Sequence, residues 1–456
     1  MQKDQVNADW LTEITGDPFT DTGGHVINFL KNLPEFKSKS IMDLIEYATD
    51  IYIDDWDAKL HPFFLNSTIT QAQFIGDRKR SETLKYFNGL IKETLAGKTG
   101  FCEISGKKTK LFPAGRNNQI LGGSGTFVNF HINLQAAVYL SKEVLIRMFF
   151  VPLGIHRLAD KIALVISNNE KVTEYFVFQN CINNLSVLKD KTSKGPLKSI
   201  FRNPANALFR FVDDYVRHLD NNLNTDEKKE FDPQSTSLNL YHFSNLGQKP
   251  EVVLYTMDND IFSFYTYSNR PEHKKEWQEF VRANYNPDNL KKLSFDQETK
   301  QWSTKEGEEI TFEDYAKWRN FVLNALLNKF SLLKYFLKWS KYHLLPIEII
   351  QMYQTTIRGM KKESVEKVEA VAEFIVSNPQ EYMEDTISSL NNVMSRMELR
   401  KIFLKVQSLA YQQKAKAALL SAEDYVENLF HPAASWSELR DLLVISIYQK
   451  RNQNNI

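Results

Sequence analysis

The side chains best suited to chemistry in this sequence are the basic and amide groups between residues 78 and 129. From Arg78 to Arg116 ten lysines and arginines stand against three acids, which gives this segment a net charge of +7. Lysines and backbone N–H groups hold phosphates without reading sequence, whereas arginine, asparagine and glutamine form paired hydrogen bonds with base edges. The segment therefore predicts a nucleic-acid contact, and a solvated charged face with an ordinary loop is the alternative.

The predicted contacts fall into two groups. The side chains expected to reach the bases of a DNA motif are Arg116, Asn117, Asn118, Gln119 and Asn129. The residues expected to hold phosphates are Lys107, Lys108, Lys110, Gly122, Gly123 and Ser124. Glycines suit this role because they let a strand approach the backbone closely. The Gly-Gly-Ser-Gly run at 122–125 lacks the Lys-Ser/Thr pair of a nucleotide-binding loop, so a tight turn is its alternative.

A second basic segment lies in the C-terminal part of the chain. Between residues 396 and 416 six basic residues stand against Glu398, a local net charge of +5. The predicted contacts with a displaced DNA strand are Arg396, Arg400, Lys401 and Lys405. Residues four apart share one face of a helix, and a basic stripe can follow the backbone of a single strand without reading its bases. A plain solvated helix face is the alternative.

Familiar catalytic signatures are missing from the sequence. It contains no GxxxxGK[ST], HExxH or GxSxG pattern, and no two of its nine histidines stand at metal-ligand spacing. Asp54, Asp55 and Asp57 are interpreted as a solvated acidic loop or helix end, with a divalent-cation site that cleaves nucleic acid as the alternative. The pair Asp213–Asp214 is interpreted as an exposed helix face. The sequence thus predicts a binding protein rather than an enzyme.

Length and composition set the broad class. At 456 residues the chain exceeds the size at which one hydrophobic core stops growing, so two or three domains are expected. A formal net charge of +1 excludes a globally basic nucleic-acid binder, so any such binding depends on local patches. Cys102 and Cys181 cannot build a disulfide framework, and neither a signal peptide nor an apolar stretch of about 20 residues is evident. We therefore expect a cytoplasmic protein.

Hydrophobic periodicity predicts an α+β fold. Helices are expected over 21–33, 42–53, 77–96 and 204–219, and a hairpin with an extended loop over 97–129. Strands are expected at 162–166, 238–243, 252–257 and 261–267, with residues 258–260 as a hairpin turn. From Phe312 the pattern is helical, and one helix face is predicted to carry Val393, Met397, Phe403, Val406 and Ala410. This gives a mixed body over 1–340 and a helical bundle over 341–456.

The opening of the sequence supplies a family resemblance. Residues 14–26 are ITGDPFTDTGGHV, and together with the basic hairpin they resemble the large subunit of type I CRISPR surveillance complexes (Cascade), in the subtype I-B branch. Members of that branch begin with a G-(D/N)-P-F-x-D-x-G element, carry a small Cys-x-x-Cys ribbon and end in a helical bundle. The layout agrees over most of the chain. The motifs agree only at Gly16–Phe19, Asp21, Gly23 and the hairpin near Cys102, and a structural turn is predicted for residues 16–23.

The hairpin departs from the family pattern. Where Cys-x-x-Cys-Gly would stand, this chain has Cys102, Glu103, Ile104, Ser105 and Gly106. A tetrahedral structural zinc needs four nitrogen or sulfur ligands, and the later cysteine pair is missing as well. We therefore expect no cofactor, and a degenerate ribbon that keeps its shape by packing after losing its zinc.

The resemblance implies a role and a set of partners. The large subunit lies near the 5′ handle of the CRISPR RNA, recognises the protospacer-adjacent motif on duplex DNA and assists R-loop opening, while the guide reads the target. Its helical domain lines the displaced strand, and a nuclease-helicase or transposition proteins are recruited. Further partners are the Cascade backbone and handle-binding subunits, and a small subunit translated from an internal start near Met352 or Met360. A protein–protein scaffold that does not read DNA is the alternative.

Overall fold

The computed structural model describes residues 6–122, 138–188, 194–221, 230–244, 251–287, 293–305, 308, 310–413, 419–432 and 434–454. The fold is α+β, as predicted. The chain divides into two compact units. The first comprises Met1–Leu208, His218–Glu230 and Ser237–Thr256, and the second Phe209–Arg217, Phe231–Thr236 and Met257–Ile456. The predicted boundary near residue 340 lies inside the second unit.

The first unit combines helices with two small antiparallel sheets. Its helices are α1 (Pro18–Asn32), α2 (Ile41–Asp50), α3 (Asp77–Ile91), α4 (Lys142–Phe150) and α5 (Glu170–Ser186), while α6 (Pro204–Asn221) contributes to both units. One sheet has the order β1 (Lys98–Phe101), β2 (Lys108–Ala114), β3 (Val138–Ser141). The other has the order β4 (His156–Leu158), β5 (Lys161–Ser167), β6 (Leu238–Ser244), β7 (Glu251–Met257).

Helix α1 begins three residues before the predicted start because Gly16, Asp17 and Pro18 form its cap. The Asp17 carboxylate accepts a hydrogen bond from the Thr20 N–H at 2.7 Å, and Pro18 occupies the first helical position. Proline suits that position because its missing N–H would have no partner there. Gly16 has a φ of +84°, a backbone conformation that is strained for any residue with a Cβ atom. Gly16, Asp17 and Pro18 of the family-like motif therefore have a structural role, because they start helix α1.

A buried ion pair explains the second half of the motif. Arg147 on α4 is 1% exposed and donates to Asp21 on α1 at 2.8 Å. Its other N–H groups donate to the carbonyls of Thr20, Trp10 and Glu13 at 2.8 to 3.2 Å. Asp21 also accepts from Thr15 and from the Gly16 N–H at 2.8 Å. A buried charge is tolerated only when it is paired and hydrogen-bonded, and both partners satisfy this condition.

Gly23 lets α1 and α4 approach each other closely. A Cβ atom at this position would stand 1.9 Å from the Arg147 carbonyl oxygen, which no pair of atoms can tolerate. One turn earlier, Phe19 packs edge-on against Tyr241 and Phe243 of β6, with ring centroids 6.0 and 5.5 Å apart. The motif thus joins α1 to both α4 and the larger sheet.

The second unit is mainly helical. Its helices are α7 (Asn259–Ser268), α8 (Lys274–Ala283), α9 (Phe312–Lys317), α10 (Phe321–Leu327), α11 (Leu333–Ser340), α12 (Ile347–Met352), α13 (Lys362–Val376), α14 (Gln380–Asn391), α15 (Arg396–Gln412) and α16 (Trp436–Asn454). Two two-stranded sheets pair β8 (Tyr285–Asn286) with β11 (Arg319–Asn320) and β9 (Leu293–Asp296) with β10 (Gln301–Thr304). No helix in the described part of the chain is both long enough and apolar enough to cross a membrane.

Hydrogen bonds to α16 explain why the second unit extends to residues before 340. The buried Gln449 donates to the Ser340 hydroxyl at 2.7 Å and to the His343 carbonyl at 3.1 Å. Its amide oxygen accepts from the Leu345 N–H at 2.8 Å. Since α11 and the turn after it pack on α16, a boundary at 340 would separate groups that satisfy one another.

Two expectations about local structure are wrong. Residues 261–267 belong to helix α7 rather than to a strand, because Asp258 caps the helix through the Ile261 N–H at 3.1 Å. The side chains from Ile261 to Tyr265 are all buried, so they do not alternate as in a half-buried strand, and the capped helix prevails over the strand preference of aromatic and β-branched residues. On α15, Met397 is 61% exposed, and Leu399 occupies the buried face with Phe403, Val406 and Ala410.

Asp213 does not lie on an exposed face, contrary to the sequence-based interpretation. It is half-buried in the second unit and accepts a hydrogen bond from the Tyr265 hydroxyl at 3.2 Å. Burial raises the pKa of Asp213 to about 6. The folded carboxyl therefore binds its proton more tightly than the unfolded one, whose pKa is near 3.8. The contribution of Asp213 to the free energy of unfolding therefore falls as the pH rises from about 4 to about 6, and it stays low above that range.

Replacing Asp213 with asparagine should stabilise the second unit at pH 7.5 by up to about 3 kcal/mol, since one pKa unit corresponds to about 1.4 kcal/mol. At pH 4 the difference should shrink to less than about 1 kcal/mol, because the folded carboxyl is then protonated and the unfolded one is only about half ionised. Urea denaturation at the two pH values measures the difference, with Asp385→Asn on the exposed face of α14 as the matched control. An equal effect of Asp213→Asn at both pH values would contradict the assignment.

Candidate nucleic-acid interface

The predicted hairpin is present and is held by a tight turn. Strands β1 and β2 pair antiparallel, with Phe101 opposite Lys108. Within the turn the Cys102 N–H donates to the Lys107 carbonyl at 2.9 Å, and the Gly106 N–H donates to the Cys102 carbonyl at 2.8 Å. Gly106 has a φ of +67°, a conformation that favours glycine. The family-like Gly in this ribbon is therefore required by the turn itself.

Cys102 organises the ribbon through its sulfur. The side chain is buried, and Sγ accepts from the backbone N–H groups of Ser105 at 3.5 Å and Ser141 at 3.4 Å. Burial raises the pKa of the Cys102 thiol, but the hydrogen bonds outweigh burial and leave that pKa below its ordinary value. These contacts tie the turn to β3. Among the residues that the structure describes, no three His, Cys, Asp or Glu side chains are grouped as metal ligands.

The three predicted phosphate lysines differ in their surroundings. Lys107 forms an ion pair with Glu13 at 2.9 Å, and Lys110 donates to the Glu93 carbonyl at 2.5 Å. Lys108 is exposed, and its Nζ lies 6.0 Å from the Phe101 ring, which is itself 67% exposed. Lys98 of β1 is also exposed and lies over the Tyr139 ring at 3.6 Å. Lys98 and Lys108 are thus the hairpin lysines presented to solvent.

Asn118 holds the 115–122 loop in place. Its amide oxygen accepts from the Gly115 N–H at 2.9 Å, and its amide nitrogen donates to the Tyr86 hydroxyl at 2.9 Å and the Pro113 carbonyl at 3.3 Å. A Cβ atom at Gly122 would stand 2.7 Å from the Gly115 carbonyl carbon, so the ends of the loop come close together. Both residues therefore have roles inside the loop that sequence alone did not indicate.

Arg116 and Asn117 are the exposed side chains of this loop, and Gln119 is half-buried. The Arg116 carbonyl accepts from the Asn66 N–H at 3.1 Å, which ties the loop to the segment before α3. The predicted contacts Gly123, Ser124 and Asn129 lie outside the described residues. Base contacts therefore stay a prediction, and within the described loop they depend on Arg116, Asn117 and Gln119.

The acidic cluster at Asp54, Asp55 and Asp57 is matched by nearby cations. Arg80 binds Asp54 and Asp50 at 2.7 Å each. Asp57 lies 3.7 Å from Lys59 and 3.5 Å from Lys194. These ion pairs occupy carboxylates that a divalent cation would need, so the arrangement favours a solvated, salt-bridged surface over a metal site.

The basic stripe on α15 separates into two pairs. Arg396 donates to the carbonyls of Pro432 and Ala434, at 3.1 and 2.6 Å, and Arg400 donates to the Tyr425 hydroxyl at 3.1 Å. These arginines join α15 to its neighbours. Lys401 and Lys405 are exposed on the same helix and remain the predicted contacts with a displaced strand.

A pocket next to the 115–122 loop was not predicted from the sequence. It measures about 310 Å3 and is lined by Phe64, Asn66, Ser67, Thr68, Ile69, Gln71, Gln73, Phe74, Thr83, Tyr86, Phe87, Asn117, Asn118, Leu145 and Phe149. Its aromatic residues come from separate segments and have the sequence pattern of ordinary core residues. The amide-rich run from Asn66 to Gln73 is the one sequence signal that could have indicated a polar rim.

Comparison with known proteins adds no relative, since no protein-family model and no curated protein matches this chain. The site is therefore defined by its own residues: an exposed pair of lysines on a rigid hairpin, an arginine and an asparagine on the adjoining loop, and a pocket beside that loop.

Proposed function

We propose that this chain is the non-catalytic large subunit of an RNA-guided CRISPR interference complex of the type I-B class. In this role the hairpin and its loop recognise the protospacer-adjacent motif on duplex DNA near the 5′ handle of the CRISPR RNA. The subunit then assists R-loop opening and supports recruitment of a nuclease-helicase or of transposition proteins. Recognition of only a few base pairs is required, because the guide reads the rest of the target.

The observation that carries the proposal is the combination of exposed groups on one small sheet and its loop. Lys98 and Lys108 present charges suited to phosphates, while Arg116 and Asn117 present the side chains that read base edges. The hairpin is rigid, because the Cys102 sulfur and the Asn118 amide hold its turn and loop. A preorganised loop loses little conformational entropy on binding.

The second unit supplies the helical part of the proposed role. Lys401 and Lys405 suit the backbone of the displaced strand. Met352 ends α12 and Met360 precedes α13, so a small subunit that starts at either residue would lack α11. Such a product would also lack the Ser340 and Leu345 partners of Gln449, and it would need another protein surface to cover that side of α16.

Two measurements distinguish the proposed function from the scaffold alternative: the RNA content of the purified complex and its binding of duplex DNA. A complex purified through this chain should contain RNA, seen as a high ratio of absorbance at 260 nm to that at 280 nm. Its affinity for duplex DNA should fall steeply with salt, because bound lysines and arginines release counterions from the phosphates. A complex that lacks RNA and binds duplex weakly at every salt concentration would favour the scaffold.

Charge reversal of the two exposed hairpin lysines should weaken duplex binding. For the double variant Lys98→Glu/Lys108→Glu we expect an affinity at least ten-fold lower and a salt slope reduced by about 2, since each phosphate contact contributes about 1. Fluorescence polarisation over a salt series measures both quantities. The control is Lys37→Glu/Lys39→Glu, which reverses two exposed lysines outside the basic segment. Equal losses in the two variants would show a general charge effect and no hairpin contact.

A further inference from the structure

The pocket beside the 115–122 loop has a floor of aromatic rings. Phe64, Phe87 and Phe149 are buried, and the rings of Phe87 and Phe149 lie 4.6 Å apart. Phe74 is half-buried and lines the same pocket. Such rings offer flat apolar surfaces on which a planar group can stack. The volume of about 310 Å3 is at the lower end for ligand pockets, which suits one small planar group.

Polar groups on the wall supply both donors and acceptors. The Tyr86 hydroxyl accepts from the Asn118 amide, which leaves its own proton to be donated. Burial raises the pKa of Tyr86 to about 12, so this hydroxyl keeps its proton at neutral pH. The side-chain amides of Asn66 and Asn117 make no hydrogen bond to any other described residue. An asparagine amide can donate and accept at once, as the edge of a nucleobase requires.

The pocket lining is uncharged and cations lie beside it, so a base and its phosphate would find different surroundings. The lining residues include no Lys, Arg, Asp, Glu or His, so the interior suits a neutral ligand. Cations stand next to the lining residues instead. The guanidinium carbon of Arg78 lies 5.2 Å from the centre of the Phe74 ring, and the exposed Arg116 directly precedes Asn117. Guanidinium groups at these positions match the negative charge that accompanies a nucleotide base.

We infer that this pocket holds one unpaired nucleobase of a nucleic-acid strand, stacked on Phe74 and bonded through Tyr86 and Asn117, with the backbone on Arg78 and Arg116. The inference rests on the proposed nucleic-acid function. It adds to that function a site that binds one base turned out of the stack of its strand. Single-stranded nucleic acids are read in this manner, by splayed bases stacked on aromatic side chains. The hairpin lysines then act on duplex and the pocket acts on an unpaired base, while Arg116 and Asn117 of the loop contribute to both.

The test uses the full chain and two short strands. In one strand of about 12 nucleotides a single 2-aminopurine is flanked by abasic residues, and the other strand is wholly abasic, so the two differ by one base. The 2-aminopurine strand should bind at least ten-fold more tightly, and its fluorescence should be quenched by stacking. Phe74→Ala should weaken binding about ten-fold through lost stacking, and Asn117→Ala about ten-fold through lost hydrogen bonds to the base edge. Ile75→Ala, at a neighbouring exposed residue outside the pocket, and Asn88→Ala, at an exposed asparagine of α3, should leave the affinity unchanged.

Three results would overturn the inference. Equal binding of the two strands would mean that the base is not recognised, and an unchanged affinity in both pocket variants would place the base elsewhere. Equal affinity for free 2-aminopurine ribonucleoside monophosphate would assign the pocket to a free nucleotide rather than to a strand. Failure of the proposed function is seen separately, as loss of salt-dependent duplex binding while the 2-aminopurine signal persists. Thermal melting of each variant controls for folding.

Discussion

Replacing Arg147 with methionine should lower the free energy of unfolding of the first unit by about 3–5 kcal/mol, the cost of leaving one member of a buried ion pair without its partner. In the wild type Arg147 is 1% exposed and satisfies Asp21 together with the carbonyls of Thr20 and Glu13. Methionine fills a similar volume but supplies no donor. Urea denaturation measures the loss, and hydrogen exchange in the peptides of α1 and α4 locates it.

Two further variants distinguish the buried pair from a general loss of charge. Arg202→Met removes an exposed arginine of the same unit and should change stability by less than about 0.5 kcal/mol. The double variant Arg147→Met/Asp21→Asn should recover part of the loss, because the unpaired carboxylate is then neutral. If Arg147→Met cost no more than Arg202→Met, the ion pair would not be the element that joins α1 to α4.

Replacing Gly23 with alanine should destabilise the same unit by about 3 kcal/mol or more. The added Cβ would meet the Arg147 carbonyl oxygen at 1.9 Å and its carbon at 2.5 Å. Both atoms belong to the backbone of α4, so the helices must separate, and overpacking that moves backbone exceeds the usual cost of about 1–3 kcal/mol. Thermal and urea unfolding both measure the effect.

Gly89→Ala is the matched control, since it also adds one methyl group to a glycine inside a helix. The nearest atoms to the new Cβ there, at 3.0 to 3.3 Å, belong to the Leu95 and Thr94 side chains, which can shift. Alanine also favours the helix by about 1 kcal/mol over glycine, so this variant should be neutral or more stable. A Gly23→Ala protein as stable as Gly89→Ala would contradict the close packing of α1 on α4.

The sequence predicted the parts of this fold that depend on local patterns. The α+β class, the hairpin near Cys102, strand β5 and helix α6 all follow from hydrophobic period and turn residues. Residues 261–267 show where that reasoning fails, because aromatic and β-branched residues favour strands unless a cap such as Asp258 starts a helix. The extent of the second unit depends on Gln449, whose partners lie more than 100 residues earlier in the chain.

The candidate site was predicted by residue type but not by geometry. Residue type located the basic hairpin and its loop, yet it could not tell which side chains are already engaged. Lys107 and Lys110 have partners in the first unit, and Asn118 holds its own loop. The pocket was missed because its aromatic rings are distant in sequence and resemble ordinary core residues. Pairing and burial depend on tertiary contacts, which a single sequence does not encode in any short pattern.

The most direct measurement of the proposed function is a selection among duplexes that share one guide-matched target and differ in a randomised flank. A guide-loaded complex purified through this chain should enrich a short motif of a few base pairs beside the target, as motif-dependent recognition requires. Complexes with Arg116→Ala or Asn117→Ala should show weaker enrichment at one position of that motif, by about 1–3 kcal/mol per lost base contact. A flat distribution of flanking sequences with the wild-type complex, or an unchanged motif with both variants, would contradict the account.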